Sequence, residues 1–319
     1  MSKEHTSNRT IRWIQTHFDF VTSMMKGGIS LASISQSILG HRFVTATTKV
    51  LRSCYLTFIP LVQKYFPTRN GFLLVSSKSK QAKEVVYFTS CMNRVLAPSK
   101  HMKDKRSVQE VFTSLCTKAD IAVIYPENIC GLCCGKPLEK FQPEHKEMQD
   151  KLYQSLLKTT DNGRIPIVID HMACTAHALR HFVNSPFTIM DIHQYVLEEI
   201  IPNLDITKTD EPIGLFTICS GRKYRFDKTM RQLAELCTTG DIIEPKLPCC
   251  RFQGYKGFLE PELTIQATSK LPQDFLNTGI TKGYSGSATC EIGLSNATDF
   301  SWQGIIYLVD SVTRSKQCN

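Results

Sequence analysis

Several features are missing from this 319-residue sequence, and each absence excludes something. No segment approaches the ~20 apolar residues that a membrane-spanning helix requires. The first residues lack the apolar stretch of a secretory signal. The chain is therefore expected in a reducing compartment, cytoplasmic or peripheral to a membrane. There is no C-x2-C-x2-C-x3-C-P run and no G-x-G-x-x-G loop. All nine histidines lie at or before His193, so nothing later in the chain offers an imidazole. Acidic charge is scarce at the start: residues 1–80 hold two Asp/Glu against eleven Lys/Arg, whereas the rest holds twenty-seven of each. The formal charge of +9 thus belongs to the first 80 residues. This excludes a basic globular domain, and with it a nucleic-acid partner. It predicts a basic docking segment for an acidic partner surface or a membrane face.

What is present falls into three parts: a helical lead and linker over 1–80, and two similar α/β halves over 81–210 and 211–319. Ile11, Ile14, Phe18, Val21 and Met25 step by three or four, which is one helical face. Gly27-Gly28 is expected to stop that helix. Leu31, Ile34 and Ile38 form a second face that Gly40 breaks. A third apolar stretch covers 44–66, ended or kinked at Pro60. Turn formers over 67–80 read as a linker. From Lys83 onward, strand-like runs at 85–89, 121–125, 165–170, 213–218, 241–243 and 304–309 alternate with helical segments at 107–118, 143–159, 177–184, 192–200 and 228–237. Such alternation predicts an α/β fold with largely parallel strands. Glu211-Pro212 marks the boundary between the halves.

The cysteines repeat. Cys91 follows the strand-like VVYFTS, the pair Cys133-Cys134 comes next, and Cys174 lies 40 residues beyond Cys134. Cys219 follows IGLFTI, the pair Cys249-Cys250 comes next, and Cys290 lies 40 residues beyond Cys250. A repeated offset of this kind is the mark of a duplicated unit. Thirteen cysteines are too few for a small disulfide scaffold, which runs above ~8–10 %. Four thiolates converging on one point suit zinc or an iron–sulfur cluster. Adjacent residues of a strand point to opposite faces, so each pair needs a turn to serve one centre. Gly135 and Pro137 supply turn chemistry in the first half, and Pro248 in the second. Arg94, Lys136, Arg222 and Arg251 accompany the cysteines, either to balance an anionic centre or as solvated surface charges. Structural zinc usually pairs ligands two to four residues apart, and only Cys130 and Cys133 show that spacing.

The blocks YFTSCMNR, CGLCCGKP and DHMACT, and then FTICSGRKY, PKLPCCRFQGYKGFLEPELT and GYSGSATCEIGLS, resemble two cysteine-rich CCG domains in tandem. Tandem CCG domains occur in heterodisulfide reductase, in the iron–sulfur component of glycolate oxidase and in lactate-utilisation iron–sulfur proteins. The second-half blocks are similar to the C-terminal part of FAD- and iron–sulfur-containing D-lactate dehydrogenases. RWIQTHFDFVTSMMKG resembles the helical connector that precedes the CCG region there. The resemblance covers about residues 8–315. It implies iron–sulfur clusters of 4Fe-4S type, one or two per chain, that relay electrons from a flavin to a quinone or cytochrome acceptor. It further implies that Cys91, Cys133, Cys134 and Cys174 form one ligand set, and Cys219, Cys249, Cys250 and Cys290 the other. The FAD would reside on a domain or partner protein outside this sequence, and no catalytic residue is expected here.

The sequence departs from that pattern in three places. The fullest form ends in C-x-x-C, but the first of these positions holds His171 in one half and Ser287 in the other. The glycine of the CCG triplet is Gly135 in the first half and Arg251 in the second, which is costly if the position needs φ > 0. Two competing readings stand beside the electron-transfer one. The first is a zinc-bound or metal-free scaffold without redox activity. The second is a thiol–disulfide protein using the adjacent cysteines. Of the remaining cysteines, Cys54, Cys116 and Cys237 are expected in the core, Cys318 at the surface, and Cys130 within reach of the first set. Asp170 and Glu291 are read as solvated or hydrogen-bonding neighbours of the last cysteines. Asp170, His171 and His177 have no accompanying nucleophile motif that would make them a hydrolytic centre. Trp13 and Trp302 are read as packing residues.

Overall fold

The computed structural model describes residues 2–74, 76 and 83–316, with side chains from Arg9 onward. Cys318, expected at the surface, lies outside the described residues. The lead forms α1 (Ser2–Thr16), α2 (Phe18–Leu39) and α3 (His41–Ser53). Contrary to expectation, α2 runs through Gly27-Gly28. Two glycines cost a helix about 1 kcal/mol each relative to alanine, and burial of Phe18 and Ile29 on this helix offsets that. Gly40 does break the helix, with φ +80.

The helix expected over 44–66 stops at Ser53. Beyond it the Arg52 guanidinium donates to the carbonyls of Thr57 and Ile59, and Thr45 Oγ1 donates to Val62 O. These bonds give the backbone a non-helical alternative. Cys54 is exposed at this end and is not a core residue. Trp13 is also exposed, at 47 %, and stacks on His17.

The lead is fastened to both halves. Arg52 pairs with Glu262 at 2.9 Å, and Lys64 with Asp299 at 2.7 Å. Part of the stretch read as a linker is structured, since Thr68–Arg69 pairs antiparallel with Leu96–Ala97. Buried Asn70 then donates to Gln109.

Runs of Val, Ile, Tyr and Phe make most strands of two four-stranded parallel sheets. The first contains β1 (Glu84–Phe88), β2 (Ala122–Ile124), β3 (Ile167–Ile169) and β4 (Ile189–Asp191), in the order β2-β1-β3-β4. The second contains β5 (Ile213–Phe216), β6 (Ile242–Ile243), β7 (Lys282–Ser285) and β8 (Ser301–Gly304), in the order β6-β5-β7-β8. The two sheets therefore have the same strand order. Tyr87 opposes Val168 in one central pair, and Leu215 opposes Tyr284 in the other. Val85 to Phe88 are fully buried, as expected of a strand covered on both faces. Strand order reverses between β1 and β3, and again between β5 and β7. The crevice outside the carboxyl ends of the strands at such a reversal is where open α/β sheets bind ligands.

Around the first sheet lie α4 (Cys91–Val95), α5 (Val108–Lys118), α6 (Gln142–Thr159), α7 (Met172–His181) and α8 (Ile192–Tyr195), the last continuing into a wider turn at Val196–Ile200. Around the second lie α9 (Cys219–Lys223), α10 (Phe226–Cys237), α11 (Lys256–Leu259), α12 (Pro261–Ala267), α13 (Ala288–Thr298) and α14 (Ile305–Val312). The run at 304–309, read as a strand, is the buried helix α14; a short continuous apolar run fits either element. Strands β4, β7 and β8 escaped the sequence reading. Lys-Gly-Tyr-Ser in β7 has little strand propensity, and pairing on both sides overrides it. Leu204–Ile206 pairs antiparallel with Thr313–Ser315, so the end of the second half closes on the end of the first.

Candidate metal centres

Every cysteine of the two repeated sets lies beyond the carboxyl end of a strand. Cys91 follows β1 as the first residue of α4, and Cys219 follows β5 as the first residue of α9. The residues before them share one backbone conformation, φ −64 and ψ 153 for both Ser90 and Ile218. Cys174 and Cys290 are the third residues of α7 and α13, behind the caps His171 and Ser287. Each set thus receives two helix N-termini, whose positive dipole ends favour thiolate.

The adjacent pairs sit in the loops after β2 and β6. Gly135 has φ +87, and Arg251 in the same place has φ +56. The turn that lets neighbouring cysteines serve one centre therefore needs the left-handed region in both halves, and Arg251 adopts it at a cost of about 1 kcal/mol.

The sulfurs meet in pairs. Cys134 Sγ lies 3.2 Å from Cys174 Sγ, and the Cys133 thiol neighbours those of Cys91 and Cys134. In the second half Cys250 Sγ lies 2.8 Å from Cys290 Sγ, and Cys249 Sγ 3.6 Å from Cys219 Sγ. All twelve cysteines among the described residues are free thiols.

The electrostatics of the two sets differ. Contact between thiols, burial or both hold Cys91, Cys133, Cys134 and Cys174 above the usual thiol range. In the second set the members of each pair part: Cys249 is lowered to about 6, first by the Cys219 thiol and then by the Arg251 amide and the Arg251 and Arg222 charges, while the same contact raises Cys219 and contact with Cys250 raises Cys290. Cys219 is exposed and Cys249 half-buried, whereas Cys133, Cys134 and Cys174 are buried.

Arginine placement is also duplicated. Arg94 and Arg222 each stand three residues after the first cysteine of their set. Arg94 donates to Leu132 O at 2.5 Å and Arg222 to Leu247 O at 2.8 Å, so each holds the loop that carries its cysteine pair. Arg94 is buried, which removes the reading of a solvated surface charge. Its other terminal nitrogen, Nη1, has no hydrogen-bond partner among the described residues. Lys136 is half exposed and pairs with Glu139.

Asp170 is buried and accepts from Tyr87 Oη, Thr89 Oγ1 and the Ser90 amide. Gly286 stands at the corresponding place, four residues before Cys290. Accordingly the buried hydroxyl of Thr217, the counterpart of Thr89, has no partner among the described residues. Burial raises the Glu291 carboxyl to about 8.

Cys116 and Cys237 are buried core residues, and Trp302 is fully buried. Cys130 is exposed in the turn Ile129–Gly131, where Lys26 of α2 faces it. His171 accepts from the Ala173 amide through Nδ1, and its Nε2 lies 2.9 Å from Ser287 Oγ.

One cluster escaped the sequence reading. Among the described residues, His145, His177 and His181 bring their ligand nitrogens within 4.8 Å of one another. The i, i+4 spacing of His177 and His181 is visible in the sequence, but His145 arrives from another helix.

No helix among the described residues is long and apolar enough to cross a membrane. No protein-family model matches the chain, and no curated protein matches it.

Proposed function

We propose that the chain is the iron–sulfur electron-transfer portion of a flavin-dependent D-lactate, or related 2-hydroxyacid, dehydrogenase, built from two CCG domains over 81–210 and 211–319. The observation that carries this reading is the duplicated gathering of four cysteines, their thiols meeting in pairs, beyond the carboxyl ends of two sheets with the same strand order. The donor sets fit an iron–sulfur group. Each offers four sulfurs, two helix N-termini and a nearby arginine, and buried Arg94 Nη1 is an unused donor beside the first set. Cys91, Cys133, Cys134 and Cys174 would hold one cluster of 4Fe-4S type, and Cys219, Cys249, Cys250 and Cys290 the other. When bound, such clusters supply one-electron redox capacity.

The protein's own residues do the rest. Arg94 and Arg222 fix the pair-bearing loops, the caps of α7 and α13 orient the last cysteines, and the Cys249 thiol is held toward its ionised form. The His171–Ser287 hydrogen bond joins those two caps, so the sets are neighbours, as an electron relay requires.

The lead would receive the FAD-bearing domain or partner protein. It is the basic part of the chain, and it exposes Phe20, Met24, Leu31, Ile34 and Ile38. A quinone or cytochrome would accept the electrons, with the lead also able to meet a membrane face. Localisation in the cytoplasm, free or at the membrane periphery, fits this role.

The test is purification without air. The expected protein is brown, with broad visible absorption and acid-labile sulfide in proportion to iron. Cys134→Ser and Cys290→Ser should each remove about half of the iron. A colourless protein that refuses iron and sulfide, or that holds only zinc, would overturn the proposal in favour of a scaffold.

A further inference from the structure

Three imidazoles crowd together behind the first cysteine loop. His177 and His181 are four apart on α7 and therefore project from one face. His145 reaches them from the first turns of α6. The Nε2 atoms of His145 and His177 are 3.0 Å apart, and the three rings have centroids 4.4 to 5.2 Å from one another. His145 and His177 are buried and His181 is exposed, so the cluster opens to solvent on one side. Burial, followed by the charges of the neighbouring histidines, Lys136 and Arg180, pushes all three imidazoles below their ordinary range, with His177 at about 3. The rings are therefore neutral near pH 7, and each has a nitrogen lone pair to offer.

We propose that His145, His177 and His181 form a binding site for one divalent transition-metal ion of zinc type, separate from the cysteine sets. Two neutral Nε2 atoms at 3.0 Å need a proton between them, and a metal ion can replace that proton. Zinc binds imidazole nitrogen at about 2.0–2.1 Å, which places tetrahedral ligand atoms about 3.3 Å apart, close to the 3.0 Å between His145 and His177, with His181 within 4.8 Å of both. An all-imidazole set selects zinc or its transition-metal neighbours over magnesium and calcium.

The surroundings supply the outer shell that metal-bound imidazoles require. Glu139 Oε1 lies 3.8 Å from His177 Nδ1 and can accept its proton once Nε2 is committed to metal. In the metal-free form Arg180 Nη2 lies 3.3 Å from the same Nδ1. Three nitrogens fill three tetrahedral positions, and the fourth faces the solvent side beside His181, where water or a small anion would bind. The site shares a wall with the first cysteine loop, because a Cβ on Gly135 would lie 2.9 Å from His145 Cδ2. Metal at the histidines would therefore stiffen the loop that carries Cys133 and Cys134.

The test uses the full chain, made without a polyhistidine tag and purified anaerobically with its cysteine-bound metal in place. Zinc is added and the excess removed. The expected result is one zinc per chain whose X-ray absorption shows a nitrogen/oxygen shell at about 2.0 Å and not sulfur at about 2.3 Å. His177→Gln should remove that equivalent. His181→Gln, at the exposed edge, should weaken zinc at least tenfold. Cys134→Ser should leave the nitrogen-bound zinc in place. Both histidine variants should keep their circular dichroism and their cysteine-bound metal. Should His177→Gln fail to fold, His181→Gln decides. A sulfur-only shell, no retained zinc, or full zinc in both histidine variants would overturn the proposal. Iron content reports on the cysteines and the nitrogen shell on the histidines, so the two readings fail separately.

Discussion

His171 Nε2 and Ser287 Oγ lie 2.9 Å apart. Each stands three residues before the last cysteine of its set, at the position where the fullest CCG pattern carries a further thiol. The two departures from that pattern are thus direct neighbours across the contact between the halves. Beside them the Met172 sulfur occupies the space that a Cβ on Gly221 would need, at 2.4 Å, so the halves approach closely there. A hydrogen bond between the halves stands where the pattern would place two thiols.

That bond should be measurable as a coupling. His171→Ala and Ser287→Ala, singly and together, are expected to show an interaction energy of about 1 kcal/mol in denaturant unfolding. Strictly additive effects would mean that the contact contributes nothing to holding the halves together.

The two turns at the cysteine pairs predict effects of opposite sign. Gly135→Ala forces alanine into the left-handed region and against His145, and should cost about 1–3 kcal/mol. Arg251→Gly relieves a strained arginine and should gain about 0.5 kcal/mol after the added freedom of the unfolded chain is counted. Unfolding midpoints that shift in the same direction would contradict this account.

The sets should also differ in lability. Cys219 is exposed and Cys249 half-buried, so a chelator or oxygen reaches the second set more readily. Under chelator, Cys134→Ser protein, which keeps only the second set intact, should lose its remaining iron several-fold faster than Cys250→Ser protein. Equal rates would show that exposure does not govern release.

Asp310 predicts a pH dependence. Burial alone would raise its carboxyl, but hydrogen bonds from Lys118, Ser114 and Arg106 outweigh that and leave it below its ordinary 3.8. A depressed folded value means that the stabilisation is fully present above the unfolded value and disappears as pH falls through the folded one. Asp310→Asn should therefore cost about 2 kcal/mol at pH 7, and progressively less below about pH 4 as the wild-type carboxylate is itself protonated. A cost that stays constant between pH 7 and pH 3 would remove the ion pairs as its cause.

The parallel sheets are largely legible in the sequence, because β1, β2, β3 and β5 are short runs of β-branched and aromatic residues between turn formers. β7 is not, since Lys-Gly-Tyr-Ser becomes a strand only through partners on both sides. α14 reads as a strand because Ile305 to Val309 form one short apolar run, which fits either element. The repeated cysteines are legible from spacing alone, and so is the need for a turn at each adjacent pair, whereas the positive φ of both Gly135 and Arg251 is seen only in the fold. Arg94 and Arg222 are visible as neighbours, but their bonds to the pair-bearing loops depend on distant backbone. The His145–His177–His181 cluster shows the same limit, because two of its members share a helix and the third is supplied by packing.

The antiparallel pairing of Leu204–Ile206 with Thr313–Ser315 bears on how the protein is made. The second partner leaves the ribosome roughly a hundred residues after the first, a delay of roughly 5–20 s at ordinary elongation rates. Throughout that interval the first half can form its sheet and assemble its thiols, yet its last strand has an open edge. Non-local pairing of this kind slows folding. It makes closure a late event, after both cysteine sets have been synthesised. A nascent chain would thus have a window in which its thiols are synthesised but its halves are not yet locked to each other.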